Sequence, residues 1–135
     1  MINVSLKCHY ALLSLSYLAQ LQNAKPVQLS DIASAHDIPV KYLEQVLSVL
    51  RQVGFIQSLR GAKGGYQLLK DPAEISIRDV FNSVLGDTKL ESKIKGSVLE
   101  PFWLQLMTDS TQLLDYSLDE FMIKWYSSNR LTYTI

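Results

Sequence analysis

The stretch SDIASAHDIPVKYLEQVLSVLRQVGFIQSLRGAKGGY, Ser30 to Tyr66, holds two helical periods followed by a β-like alternation, and its reading decides the fold. Ser30 suits the N-cap of a short helix, where its hydroxyl accepts a backbone N–H and Asp31 favours the positive end of the helix dipole. Ile38-Pro39 breaks that run. Pro39, with φ already near a helical value, suits the first position of a second helix reaching Arg51. Leu43, Val46, Leu47, Leu50 and Val53 recur at helical spacing and predict the packed face, leaving Lys41, Glu44, Gln45, Ser48 and Gln52 on the other. Gly54 is the expected C-cap, because a helix often ends in a left-handed residue that glycine adopts without penalty.

After Gly54 the period changes. Phe55 to Leu59 and Tyr66 to Leu69 are short β-compatible runs on either side of Arg60-Gly61-Ala62-Lys63-Gly64-Gly65, a glycine-rich, basic hairpin tip. Two short helices and a hairpin in this order make a winged helix-turn-helix, in which the second helix enters the DNA major groove and the tip reaches neighbouring backbone or minor groove. The expected class is mainly α with a small β-hairpin wing.

Lys7-x-x-Tyr10-Ala11-Leu12, Ile32-Ala33, Ile38-Pro39-x-x-Tyr42-Leu43-Glu44-Gln45, Leu50-Arg51-x-x-Gly54 and Arg60-Gly61-x-x-Gly64-Gly65-Tyr66 together resemble the Rrf2 family of bacterial transcriptional regulators. Trp103 and Tyr116-Ser117-Leu118-Asp119-Glu120-Phe121 resemble that family's long helix and closing segment. The resemblance covers nearly the whole chain and implies a symmetric dimer with crossed long helices, acting more often by promoter occlusion than by activation. In many members three cysteines in the loop before the long helix bind an iron–sulfur cluster. Here that loop, Thr88 to Gly96, has no cysteine, with Ser97 near the place of the last, so the cluster chemistry is not carried over. No cofactor is expected.

Working outward, 135 residues with 47% hydrophobic content suffice for one compact core with an appendage. The expected divisions are 1–86, the winged helix-turn-helix unit with the first helix; 87–96, an exposed loop; and 97–135, a dimerisation helix and a C-terminal helix. Tyr10 to Leu21 is too short and interrupted to span a bilayer, and no signal-peptide pattern opens the chain, so the expected location is the cytoplasm. The single cysteine, which excludes an intrachain disulfide, fits a reducing compartment. Net charge is zero, yet unevenly spread: residues 1–70 carry seven Lys/Arg against three Asp/Glu, and residues 71–135 six against ten. The basic half is the half with the wing, as an electrostatic footprint for phosphates requires.

The first helix is expected from near Ser5 to about Leu21, followed by a polar turn at Gln22 to Pro26. Its apolar residues cover more than one face, so something besides the winged helix must cover the second. Cys8 falls in its first turn, where free N–H groups and the helix dipole would lower a thiol pKa, making it a candidate redox sensor; the alternative is a small residue filling a tight place. Cys8, His9 and His36 are too few and too far apart in sequence for a metal site.

Asp71 to Ser76 reads as a turn, and Ile77, Val80, Phe81 and Val84 as a short helix closed by Gly86-Asp87. Leu99, Phe102, Trp103, Leu106, Leu113 and Leu114 continue a helical stripe whose exposure would be an association liability unless a second subunit covered it. Its start is open between a Ser97-x-x-Glu100 capping box and a Glu100 cap with Pro101 in the first position. Ser117-x-x-Glu120 is a cleaner capping box for a last helix.

The reading is a homodimeric regulator of double-stranded DNA. Tyr42, Glu44 and Gln45 would specify sequence, with Ser48 on the same exposed side; Arg60 would enter the minor groove with Gly61, Gly64 and Gly65 allowing close approach; Lys7, Lys41 and Lys63 would meet phosphates. Tyr10 and Ser30 complete the candidate surface. An effector would be a small molecule or protein held against the dimer interface, or oxidation at Cys8. The competing class is a winged-helix protein-binding module, which would not require Arg60 and Lys63 at a glycine-rich tip. Catalysis is set aside: Gly61 to Gly65 lacks the Gly-Lys-Ser/Thr ending of a phosphate loop, and no nucleophile with a base stands out.

Overall fold

The computed structural model describes residues 5–21, 25–86 and 90–127, without the side chains at 90 and 91. The first part of the expected turn at 22–26, the start of the 87–96 loop and the end of the 97–135 segment fall outside these residues. The elements in order are α1 (Leu6–Gln20), α2 (Leu29–His36), α3 (Val40–Val53), β1 (Ile56–Leu59), β2 (Gly65–Leu68), a 3-10 turn (Pro72–Glu74), α4 (Ile77–Leu85), α5 (Leu90–Ile94), α6 (Glu100–Gln112), α7 (Leu118–Phe121) and a π-helical turn (Met122–Ser127).

Local chemistry sets most boundaries. Ser5 caps α1 by accepting the Cys8 N–H (3.3 Å), and Ser76 caps α4 through the Asp79 N–H (3.3 Å). Gly54 closes α3 at φ 94, in the left-handed region. Ser30 is not the cap of α2. The Val27 N–H donates to Tyr66 O and the Tyr66 N–H to Val27 O (2.9 and 2.8 Å), so the chain leaves this strand pairing at Gln28 and starts turning there. Gln28 caps with no side-chain bond, and Ser30 sits exposed in the first turn. Pro39 is likewise the N-cap of α3 rather than its first residue, with ψ 130 still extended. Asp37 ends α2 at φ 52, a conformation that Asp tolerates better than bulkier residues.

One core joins α1, α2, α3, the wing and α4. Leu15, Ile32, Leu43, Leu47, Leu50, Ile56, Ile77 and Val80 are fully buried in it. The predicted stripe of α3 is buried at Leu43, Val46, Leu47 and Leu50, but Val53 is exposed because the helix leaves the core at Gly54. The wing is antiparallel, Ile56 opposite Leu68 and Leu59 opposite Gly65.

The C-terminal half divides differently from expectation. Leu118 is fully buried in the same core, its N–H donating to Ile75 O (2.7 Å), while the Ile77 N–H donates to Tyr116 O (3.0 Å). The Ser117 cap forms: Ser117 Oγ accepts the Glu120 N–H and donates to Glu120 Oε1, both at 3.2 Å. The last segment therefore folds back onto the first unit. Part of the expected 87–96 loop is helical, as α5, with Ile94 buried. α6 ends at Gln112 and starts in neither expected way. Leu99 is its N-cap and Pro101 lies in its first turn, while the Gly96 N–H donates to Glu100 Oε2 (3.0 Å).

Candidate nucleic-acid interface

α3 presents two faces of opposite character. Lys41, Tyr42, Glu44 and Gln45 are exposed and Ser48 is half-buried, all opposite the core stripe. The 3.6-residue period alone separates them: positions 41, 44, 45 and 48 fall between the buried 43, 46, 47 and 50. Gln45 offers a donor and an acceptor, and Glu44 an acceptor, as base-edge readout requires.

The wing tip adds positive charge. Arg60, Gly61 and Lys63 are exposed on the connection between β1 and β2. Gly61 holds φ 105 in open space, so glycine there serves the turn. Gly64 and Gly65, expected to allow close approach to DNA, also have an intramolecular reason. Gly64 is buried, donates its N–H to Gly61 O (2.9 Å), and a Cβ there would run into Leu59 O. A Cβ on Gly65 would stand 2.5 Å from Val27 O, in the pairing that precedes α2. Gly64 lets the wing turn close on itself, and Gly65 lets the wing pair with Val27 in the body of the domain.

α1 reaches the same region through Tyr10. Its ring lies 6.1 Å from that of Tyr42, tilted 50°, so the start of α1 abuts the start of α3. Lys7 is exposed one turn earlier. His9 is exposed, its ring tilted 37° to that of Tyr10 with centroids 5.8 Å apart.

Cys8 lies beside this surface but inside the protein, 2% exposed. Burial pushes its thiol pKa up, and the hydrogen bond to Ser5 acts the other way without reversing it. This corrects the expectation of a lowered value: the helix start is there, but packing removes the water that a thiolate needs. Cys8 packs as a small hydrophobe in the core.

The residues assigned to an interface with a second copy are split by the structure. Leu99, Phe102, Leu106 and Leu113 are exposed, Leu113 at 75%, and Trp103 is half-buried with its ring edge on Phe102 (4.9 Å). Leu114 packs against the chain's own core instead, because α6 has ended and the chain is turning toward Tyr116.

A protein-family model, Rrf2, described as "Iron-dependent Transcriptional regulator", matches residues 4–115. The donors present do not fit a cysteine-held iron centre: the chain's one cysteine is buried with its proton held, and no group of three His, Cys, Asp or Glu side chains gathers among the described residues. The HTH-type transcriptional regulator IscR of Escherichia coli is 40% identical over 78 residues, 58% of this chain and 48% of that protein. The chain thus spans about half the length of the curated relatives it matches. Among solved structures, IscR of T. potens aligns at 30% identity and TM-score 0.78 over 94% of this chain and 90% of its own. The global cysteine regulator CymR of B. subtilis aligns at 26% identity and TM-score 0.71, over 90% and 96%. With the family match running through α1, the helix-turn-helix, the wing and α6, the chain belongs to the Rrf2 family.

Proposed function

We propose that this protein is a cytoplasmic, sequence-specific transcriptional regulator that binds double-stranded DNA as a homodimer and represses by occupying promoters. The observation that carries the reading is the polar outer face of α3, Lys41 to Ser48, with the basic Arg60–Lys63 tip beyond Gly54. Glu44 and Gln45 read base edges in the major groove, Arg60 enters the adjoining minor groove, and Lys7, Lys41 and Lys63 meet phosphates. Tyr42 and Tyr10 brace the start of the reading helix, and Ser30, exposed in the first turn of α2, completes the candidate surface.

Dimerisation is supported by α6. A helix of 13 residues is marginal without tertiary support, and none of its residues is buried in its own chain. Ser110, Thr108 and Thr111 donate to carbonyls one turn back, a habit that slightly weakens a helix. A second copy laid on Leu99, Phe102, Leu106 and Leu113 supplies the missing burial, and two-fold symmetry then imposes a roughly palindromic operator. DNA binding needs no iron–sulfur cluster.

Selection of bound sequences from a random DNA pool tests the reading. A palindromic consensus, retained in the presence of a chelator, is the expected result. Lys63→Ala should weaken binding to all sequences alike and lower the salt slope by about one. Failure to enrich any sequence would leave the wing as a protein-binding surface and end the proposal.

A further inference from the structure

Between α1, the last turn of α2 and the C-terminal π-helical turn lies a cavity of about 580 Å³. Its size falls within the range of small-molecule sites. It stands apart from α3 and α6, along the face of α1 that the helix-turn-helix leaves uncovered. The rings of Tyr17, Phe121 and Trp125 line it, together with Leu13. Its side wall is tied together: His36 Nε2 lies 3.0 Å from Tyr126 Oη, which donates to Gln20 Oε1 (3.0 Å), so His36 Nε2 carries the hydrogen. The His36 ring also meets Tyr17 edge-on at 5.8 Å.

Two observations define what would fit. Ser16 lines the cavity, is fully buried, and its hydroxyl has no hydrogen-bond partner, a state that costs free energy until something pairs with it. No Lys, Arg, Asp or Glu lines the cavity among the described residues, and its two histidines, His9 and His36, are neutral in their ordinary state near pH 7, so a charged ligand would be desolvated with no permanently charged counter-ion. We infer that this cavity is an effector site for a neutral aromatic molecule bearing a hydroxyl that pairs with Ser16. The same cavity is lined by Ala35 and His36, the end of the first helix of the helix-turn-helix, one turn before α3 begins. Occupancy therefore bears on the angle at Asp37–Pro39 from which α3 is presented to DNA. This regulatory consequence rests on the DNA-binding reading; the binding site itself does not.

Calorimetric titration of the full chain with 4-ethylphenol, and with 4-ethylbenzoate as its charged counterpart, tests the site. The phenol should bind one per chain and the benzoate at least about tenfold more weakly. Ser16→Ala should weaken the phenol about fivefold, the loss of one hydrogen bond, while slightly raising the thermal midpoint of the free protein. Ala35→Phe should fill the space and abolish binding; if that variant does not fold, Ser16→Ala decides. At saturation, anisotropy with the selected operator should show at least a threefold change in DNA affinity. Absence of saturable binding, insensitivity to Ser16→Ala, or binding seen only at dilutions where the protein is monomeric, which would put a second copy in the cavity, overturns the inference. Binding that leaves operator affinity unchanged overturns the effector role. If the free protein binds no DNA, the regulator reading fails, and the calorimetry still decides the site.

Discussion

α3 and α6 are nearly equal in length, 14 and 13 residues, and both are rich in apolar residues, yet one is held on a full side by its own chain and the other has no fully buried residue. In α3 the apolar positions keep a single period, so a narrow stripe meets α1, α2 and α4 and the rest stays polar. In α6 they are spread around the helix, with Phe102, Leu104 and Leu106 all exposed and no residue of the helix fully buried among the described residues. The difference separates a helix completed by folding from one that folding leaves to association. It also explains why function concentrates on the free side of α3: only a helix anchored by its own core can hold a reading face at a fixed angle.

The comparison can be broken from either side. The largest effect should come from Leu47→Ala in α3, which opens a cavity in a site with no exposure and should lower unfolding free energy by about 3 kcal/mol in urea denaturation. Leu106→Ala in α6 should leave the unfolding of the isolated chain nearly unchanged; if the two are equally destabilising, the contrast is false. Next in size, Phe102→Glu should weaken self-association about a hundredfold, equivalent to about 2.7 kcal/mol, by placing a charge twice at a two-fold interface. Sedimentation equilibrium reads it, and a wild-type chain that is monomeric at micromolar concentration removes the premise.

A smaller effect sharpens the division within α3 itself. Gln45→Ala should leave stability unchanged and cost roughly 1–3 kcal/mol of operator binding, with relaxed preference at particular base pairs in a repeated selection. An unaltered consensus would return this face to a solvated surface.

The smallest effect concerns Cys8. Its native thiol holds its proton to higher pH than an unfolded one, so the unfolded chain gains from ionisation first, and stability falls as pH rises through the ordinary thiol range toward the raised native value. Below that range the contribution is constant. The difference in stability between wild type and Cys8→Ala, followed from neutral pH upward, should therefore change in favour of the variant, and native Cys8 should react slowly with thiol reagents until the protein unfolds. Rapid reaction in the folded state would restore a sensing role.

What the sequence determined by itself is what neighbours along the chain decide. Hydroxyl caps at Ser5, Ser76 and Ser117, the left-handed stop at Gly54, the stripe from Leu43 to Leu50 and the turn at Arg60–Gly65 all rest on interactions a few residues long, so their signals survive in the order of residues. The tertiary structure decided what distant residues impose. Tyr66, pairing with Val27, moved the cap of α2 from Ser30 to Gln28, and the same pairing explains Gly65. Packing around α1 buried Cys8 and reversed the expected direction of its pKa, and the return of Leu118 to the core separated Leu114 from the free face of α6. The cavity was invisible for the same reason: Tyr126 meets His36 and Gln20 across 90 and 106 positions, and no local period records which residues a folded chain brings back together.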